Sequence, residues 1–382
     1  MIPYGKQDIS ERDIEAVVDV LRSDFLTQGP VVPRFEAAVA AYCGANHGVA
    51  VNSATSALHL ACRAIGLGPG DWLWTSPITF VASANCALYC GAQVDFVDID
   101  PNTFNMCPQQ LEKKLAMADS QGRLPKVVVP VHLAGQSCNM KPIKALADRY
   151  GFHIVEDASH AIGGRYRDEP VGNCRYSDIT VFSFHPVKII TTGEGGLAVT
   201  NSEALAERMA LLRSHGITRE PDRMTHTPDG PWYYQQIDLG YNYRMTEMQA
   251  ALGLSQLERL DAFVARRSEL AEGYDTALAD LPLHLPGRCE NAESSWHLYV
   301  IQVGDSNRHR EVFEALRERG IGVNLHYIPV HLQPYYRSLG FSPGDFPVAE
   351  DYYSRAISIP LFAGLTNEEQ RKVVVASRDA LH

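Results

Sequence analysis

Between residues 49 and 200 the chain alternates between short runs that are apolar almost throughout and longer stretches with apolar residues at helical spacing. The short runs lie at 49–52, 72–75, 94–97, 127–131, 153–156, 179–182 and 197–200. Between them, Leu58, Ala61, Cys62 and Ile65, then residues 80–88, then Ile143, Leu146, Ala147 and Tyr150 form helical faces; Leu205, Met209 and Leu212 follow the last run. A strand that is apolar at nearly every position has no face for water. Interleaved with helices, such strands predict an α/β fold with a mostly parallel sheet sandwiched by helices. Ahead of the sheet, Ser10 is placed to cap a helix carrying Ile14, Val17, Val18 and Leu21. In a sheet of this kind ligands sit beyond the C-terminal ends of the strands, so chemistry is expected from the residues just after each run.

From about Thr246 the texture changes. A long helical segment runs toward Leu281 and stops at Pro282, followed by a strand at 296–303, a helix at 309–319, a strand at 323–326 and a helix after Thr366. The two textures predict a large domain over residues 1–245 and a smaller α+β domain over residues 246–382. The formal charge of −11 argues against a nucleic-acid or anionic-membrane surface, which needs a basic stripe. No apolar run reaches the ~18 residues of a membrane span. The opening MIPYGKQDISERD is charged early and has no apolar core, unlike a signal peptide. The eight cysteines lie mostly in apolar stretches and form no CxxC pair, as expected of buried free thiols in a cytoplasmic protein.

Four strand ends carry candidate chemistry. Asn52-Ser53-Ala54-Thr55-Ser56 opens a helix, where free N–H groups suit a phosphate and where a plain helix cap is the simpler explanation. Glu156-Asp157 ends the fifth run; a carboxylate there serves metal ligation, ribose binding, pairing with a ring nitrogen, or a helix cap, and His160 lies three residues on. Ser183-Phe184-His185-Pro186-Val187-Lys188 follows the sixth run, and a lysine in such an apolar setting can lose its proton and act as a nucleophile. Gly193-Glu194-Gly195-Gly196 is a tight turn that permits close backbone approach. Each signal is weak alone. Pyridoxal 5'-phosphate (PLP) unites them, because it needs a lysine, an acid for its ring nitrogen, a helix N-terminus for its phosphate and a flat group over its ring, for which Phe80 is available. A Rossmann reading fails because residues 51–57 lack glycine, a P-loop is absent, and His326 and His331 lack the HExxH spacing of a zinc hydrolase.

With these residues in view, the chain resembles the DegT/DnrJ/EryC1/StrS sugar aminotransferases, of the fold-type I PLP class. The segments that carry the resemblance are Leu26-Thr27-Gln28-Gly29-Pro30, 52–58, Thr79-Phe80, Val131-His132-Leu133, Glu156-Asp157-Ala158-Ser159-His160-Ala161, 183–196 and 240–257. Three further stretches are similar to the branch of the family that serves pseudaminic acid biosynthesis: Ile2-Pro3-Tyr4-Gly5-Lys6-Gln7, 23–30, and Asp229-Gly230-Pro231-Trp232-Tyr233-Tyr234. The resemblance implies that Lys188 holds the cofactor covalently, Asp157 pairs with its ring nitrogen and His160 lies beside its 3-hydroxyl. It implies that Ala54, Thr55, Ser56 and Ser183 contact its phosphate and Phe80 stacks on its ring. Asn242 matches an asparagine lent to the phosphate by the neighbouring subunit of a homodimer. Tyr4, the loop Asp24-Phe25-Leu26-Thr27, and His326-Tyr327 fall where family members contact the nucleotide-sugar. The implied substrates are a UDP-linked 4-keto-6-deoxy-N-acetylhexosamine and L-glutamate. The alternatives are another 3- or 4-keto nucleotide-sugar aminotransferase, or a non-catalytic protein of the same fold, against which Lys188 and Asp157 both count.

Overall fold

The computed structural model describes residues 1–381. At its centre is a seven-stranded sheet of β1 (His47–Val51), β2 (Trp72–Thr75), β3 (Gln93–Phe96), β4 (Val127–Val129), β5 (His153–Asp157), β6 (Ile179–Ser183) and β7 (Gly196–Thr200), in the spatial order β1-β7-β6-β5-β4-β2-β3. The sheet is mostly parallel, as expected. Only β7 opposes its neighbours, pairing antiparallel with β1 and β6. Every residue of β4, β6 and β7 is buried, which accounts for their continuous apolar texture.

The pleat sends alternate side chains to two different cores. Leu73, Val129, Val155 and Val181 face the helices Ala54–Ile65 and Ala82–Tyr89. Trp74, Val128 and Ile154 face Pro108–Ser120 and Met140–Tyr150, while Phe182 and Leu197 face Val31–Cys43. A further core, with Leu270, Tyr274, Tyr299, Ile301, Val312, Ile357 and Val373, lies around the antiparallel sheet of β8 (Leu283–His284), β9 (Tyr299–Val303) and β10 (Ala356–Ile359). Its neighbours Leu298, Val300 and Tyr352 join the first core, so the two layers meet through packed side chains. All eight cysteines are free, and all but the half-buried Cys289 are buried. Among the described residues no helix is long and apolar enough to cross a membrane.

Three expectations from the sequence are corrected. The long helix after Thr246 is two helices, Glu247–Leu257 and Leu260–Ala277. The break holds Arg259 at φ −104° and ψ 2°, where its guanidinium meets the fully buried Asp13 at 2.6 Å and Asp8 at 2.7 Å. Periodicity cannot register such a break, because the apolar stripe continues through it. Residues 323–326 form no strand; Asn324 alone bridges to Ser358, and the chain then turns to put His326 against the Ser358 hydroxyl at 2.8 Å. The strand at 296–303 starts only at Tyr299. Trp296 has φ 53°, outside extended geometry, and the carbonyls of Trp296 and His297 accept bonds from the buried Arg267 guanidinium instead of from a neighbouring strand.

Candidate active site

A cavity of about 860 Å³ opens at the C-terminal ends of β1, β5 and β6, within the ~300–1,000 Å³ usual for small-ligand sites. The four strand-end segments converge on it. The helix Ala54–Ile65 begins at its wall, capped by Ser53, whose hydroxyl accepts the Ser56 N–H at 3.1 Å. The N–H groups of Ala54 and Thr55 belong to the first turn, which the helix cannot satisfy internally. With the positive end of the helix dipole and the buried Ser183 close by in the same wall, they have the chemistry that suits a dianionic phosphate.

The close backbone approach that the glycine turn permits is to the start of this helix. A Cβ on Gly196 would lie 2.4 Å from the Ala54 nitrogen and 2.5 Å from the Ser53 carbonyl carbon. Gly196 therefore lets β7 press against the helix start and fixes where the free N–H groups sit. Glu194 of that turn reaches the cavity wall.

Adjacent positions on a strand point to opposite faces, and this separates the two carboxylates of β5. Glu156 turns away from the cavity to His132 Nε2 at 2.6 Å, Thr180 Oγ1 at 3.1 Å and the Ser177 hydroxyl. Asp157 turns into the cavity. Its Oδ2 accepts the Ser83 hydroxyl at 2.6 Å and its Oδ1 accepts the Ser159 N–H at 3.1 Å. Since the Ser83 proton is committed to Asp157, the Thr79 hydroxyl donates to Ser83 at 2.7 Å. Ser83 was missed in the sequence. It follows Phe80 by three residues on a helix, and nothing but that spacing marks it.

Lys188 lies in the same cavity. Burial pushes its ammonium down to about 8, against the opposing pull of the Asp157 carboxylate. A free amine is the form that attacks an aldehyde. Capture of added PLP by cofactor-free protein is therefore expected to slow about tenfold per pH unit below about 8 and to level off above it. Stopped-flow absorbance across pH 6–10 measures this, and a plateau reached only near pH 10 would mean that the amine is ordinary.

His160 is buried and its ring is read through its bonds. Nδ1 accepts the Ala134 N–H at 3.3 Å, and Nε2 meets the Tyr327 hydroxyl at 3.2 Å. Burial, then the charges of Lys188 and His326, hold His160 well below the usual histidine range. Burial and Lys188 push His326 down to about 3. Burial, then the Asp157 charge, raises Tyr327. At neutral pH this wall is uncharged. Tyr4 packs on His326 with ring centroids 5.1 Å apart, and Phe80, 58% exposed, stands over the cavity mouth 6.2 Å from the Tyr327 ring.

Two groups singled out in the sequence lie outside this cavity. Asn242 is exposed and bridges Ser214. The loop Asp24-Phe25-Leu26-Thr27 is exposed, tied down by the Glu247 N–H to the Leu26 carbonyl at 3.1 Å. One residue that the sequence reading overlooked lines the cavity beside His160: His297, hidden inside an apolar stretch that reads as strand.

The residues present fit PLP: free N–H groups at a helix N-terminus, a buried carboxylate, a lysine with a depressed pKa and an aromatic face at the rim. Comparison with known proteins agrees. Residues 7–378 match the DegT/DnrJ/EryC1/StrS aminotransferase family. The chain is 41% identical to the spore coat polysaccharide biosynthesis protein SpsC of Bacillus subtilis, covering 99% of this chain and 96% of that protein. It is 38% identical to the UDP-4-amino-4,6-dideoxy-N-acetyl-beta-L-altrosamine transaminase of Campylobacter jejuni, over 94% of this chain and 92% of that one. The solved structure of Helicobacter pylori PseC, an aminotransferase involved in pseudaminic acid biosynthesis, superposes with a TM-score of 0.91 at 32% identity, covering 100% of this chain and 99% of that one. The chain is thus a PLP-dependent sugar aminotransferase and belongs to the DegT/DnrJ/EryC1/StrS aminotransferase family.

Proposed function

We propose that this enzyme transfers the amino group of L-glutamate to C4 of a UDP-linked 4-keto-6-deoxy-N-acetylhexosamine, giving UDP-4-amino-4,6-dideoxy-N-acetyl-beta-L-altrosamine. The observation that carries the aminotransferase chemistry is the meeting of Lys188 and Asp157 in one cavity beside a helix N-terminus. The similarity to the C. jejuni transaminase supports the choice of sugar.

Each residue has a distinct task. Ala54, Thr55, Ser56 and Ser183 bind the phosphate and fix the cofactor's position. Phe80 covers one ring face. Bound PLP supplies an electron sink for the bond broken at the amine-bearing carbon. Asp157, oriented by Ser83 and Ser159, holds the proton on the ring nitrogen. Lys188 would hold the cofactor covalently at rest, and its amine, once freed, would take up and hand back the proton of the amine-bearing carbon of glutamate. Water would supply the keto oxygen of 2-oxoglutarate, which would leave before the keto sugar enters while the cofactor keeps the amino group, and the same residues would serve the reverse sequence on the sugar, so ping-pong kinetics are expected. Tyr4, His326 and Tyr327 line the side of the cavity left for the sugar.

The active form is a homodimer in this proposal. Asn242 and the Asp24–Thr27 loop are exposed and stand outside their own cavity, where they are free to complete the neighbour's. Exposed apolar side chains accompany them, with Phe25 at 52%, Trp232 at 74% and Leu239 at 69%.

The test is a panel of 3-keto and 4-keto sugar nucleotides offered with glutamate, with the products identified by mass and NMR. Amination at C4 of the UDP-4-keto-6-deoxy-N-acetylhexosamine, with at least about tenfold preference over the others, is expected. The similarity to SpsC, named for spore coat polysaccharide biosynthesis, favours as second reading a different keto nucleotide-sugar. Preference for another member of the panel would establish it.

A further inference from the structure

Glu156 and Asp157 are neighbours on β5, and a strand that slipped by one residue would exchange them, putting Glu156 into the cavity and Asp157 out of it. Two adjacent carboxylates need something that tells them apart. β4 ends at Val129, yet the chain beyond it stays paired with the end of β5. The Pro130 carbonyl accepts the Asp157 N–H at 2.9 Å, and the Asp157 carbonyl accepts the His132 N–H at 3.0 Å.

The His132 side chain meets the other carboxylate. Its ring is fully buried. A backbone N–H can only donate, so the bond of 3.1 Å from Cys138 places a lone pair on Nδ1. The ring proton is then on Nε2 and is given to Glu156 at 2.6 Å. Burial opposes a charged ring, and although the Cys138 thiol and Glu156 pull the other way, a second proton on Nδ1 would face the Cys138 N–H. Burial would also raise the Glu156 carboxyl, but the bonds from His132, Ser177 and Thr180 outweigh it and hold the group below its usual range. Glu156 is thus an anion served by three donors on the face away from the cavity. Well-packed apolar residues often replace such a buried cluster without loss of stability, so stability alone does not account for it.

We propose that His132 is a positioning residue for the amino transfer: its ring holds Glu156 on the far face while its N–H holds the Asp157 carbonyl, so that Asp157 and not Glu156 meets the ring nitrogen of the cofactor. The inference rests on the assignment of Asp157 to that nitrogen and adds the residue that selects it. Val131 lines the cavity, whereas His132 acts there only through the two carboxylates it sorts. Without the His132 donor, one Glu156 oxygen loses its partner in a buried setting. The cavity, open to water, then becomes the better place for that charge, and β5 gains a reason to shift.

The experiment loads the protein with PLP labelled with ¹⁵N at the ring nitrogen. Its NMR shift reports whether the nitrogen carries a proton, and thermal unfolding of the cofactor-free protein reports the fold. His132→Phe keeps a buried ring and removes the donor. It is expected to move the ¹⁵N signal toward the unprotonated position, in the same direction as Asp157→Asn, and to slow the single turnover with glutamate about tenfold. His132→Gln, which keeps an N–H for Glu156, is expected to stay within about threefold of wild type with a near-normal signal. A His132→Phe protein that melts earlier but keeps the wild-type ¹⁵N signal and a rate within twofold would overturn the proposal, because its role would then be structural. If His132→Phe does not fold, Glu156→Gln decides on the same readouts: a smaller shift of the same sign supports the proposal, and a wild-type signal and rate overturn it. If Asp157→Asn itself changes neither signal nor rate, the assignment of Asp157 fails and the proposal with it; a normal response of Asp157→Asn with unaffected His132 variants removes the proposal alone.

Discussion

Lys188→Ala is expected to lower transamination by more than about 10³-fold, because one side chain carries two tasks. General acid–base catalysis alone supplies about 10²–10⁴-fold, and the covalent hold on the cofactor is lost with it. Lys188→Arg is the informative companion. It restores a positive charge, but a guanidinium keeps its proton and cannot supply the free amine that burial favours in Lys188. Both variants are expected to bind PLP at the phosphate cradle without the covalent chromophore, measured by absorbance and by borohydride trapping. Partial rescue of Lys188→Ala by a small added amine is expected. Near-normal turnover of Lys188→Ala with no added amine would refute the assignment.

Asp157→Asn has the second largest expected effect. The amide keeps the shape of the carboxylate but not its charge, so the ring nitrogen loses the partner that keeps it protonated. A hydrogen bond to a charged group is worth about 1.5–3 kcal/mol, which sets a loss of about 10²-fold in the single-turnover rate with glutamate. Ser83→Ala removes only one of the bonds that orient Asp157 and is expected to cost about two- to tenfold. The ordering of the two variants is the check. Unchanged single-turnover rates in Asp157→Asn would mean that this carboxylate does not serve the ring.

How much of this was legible in the sequence depends on whether a signal is local. The sheet strands were legible because burial on both faces removes every charged residue from β4, β6 and β7. Lys188, Asp157 and the 52–56 turn were legible because they lie at or soon after the ends of strands, and the fold places its ligand there. The choice between Glu156 and Asp157 was not settled by position; the pleat decides it, and His132 takes the one that points away. The glycine turn was visible, but its purpose was not, since the backbone that Gly196 accommodates lies about 140 residues earlier, at Ala54. His297 was invisible for the opposite reason. It sits in an apolar run, and only the left-handed Trp296 and the bonds from Arg267 take it out of the strand and into the cavity wall. The break at Arg259 likewise depends on Asp13, far away in the chain.

The central claim is that Lys188, Asp157 and the helix N-terminus together run an amino transfer in two separable halves. The most direct test gives the holoenzyme glutamate alone, with no sugar, and follows the visible spectrum and released 2-oxoglutarate together. The account predicts loss of the yellow band with one 2-oxoglutarate per subunit, and return of the band when the keto sugar is added. A spectrum that does not change with glutamate, and no 2-oxoglutarate, would contradict it.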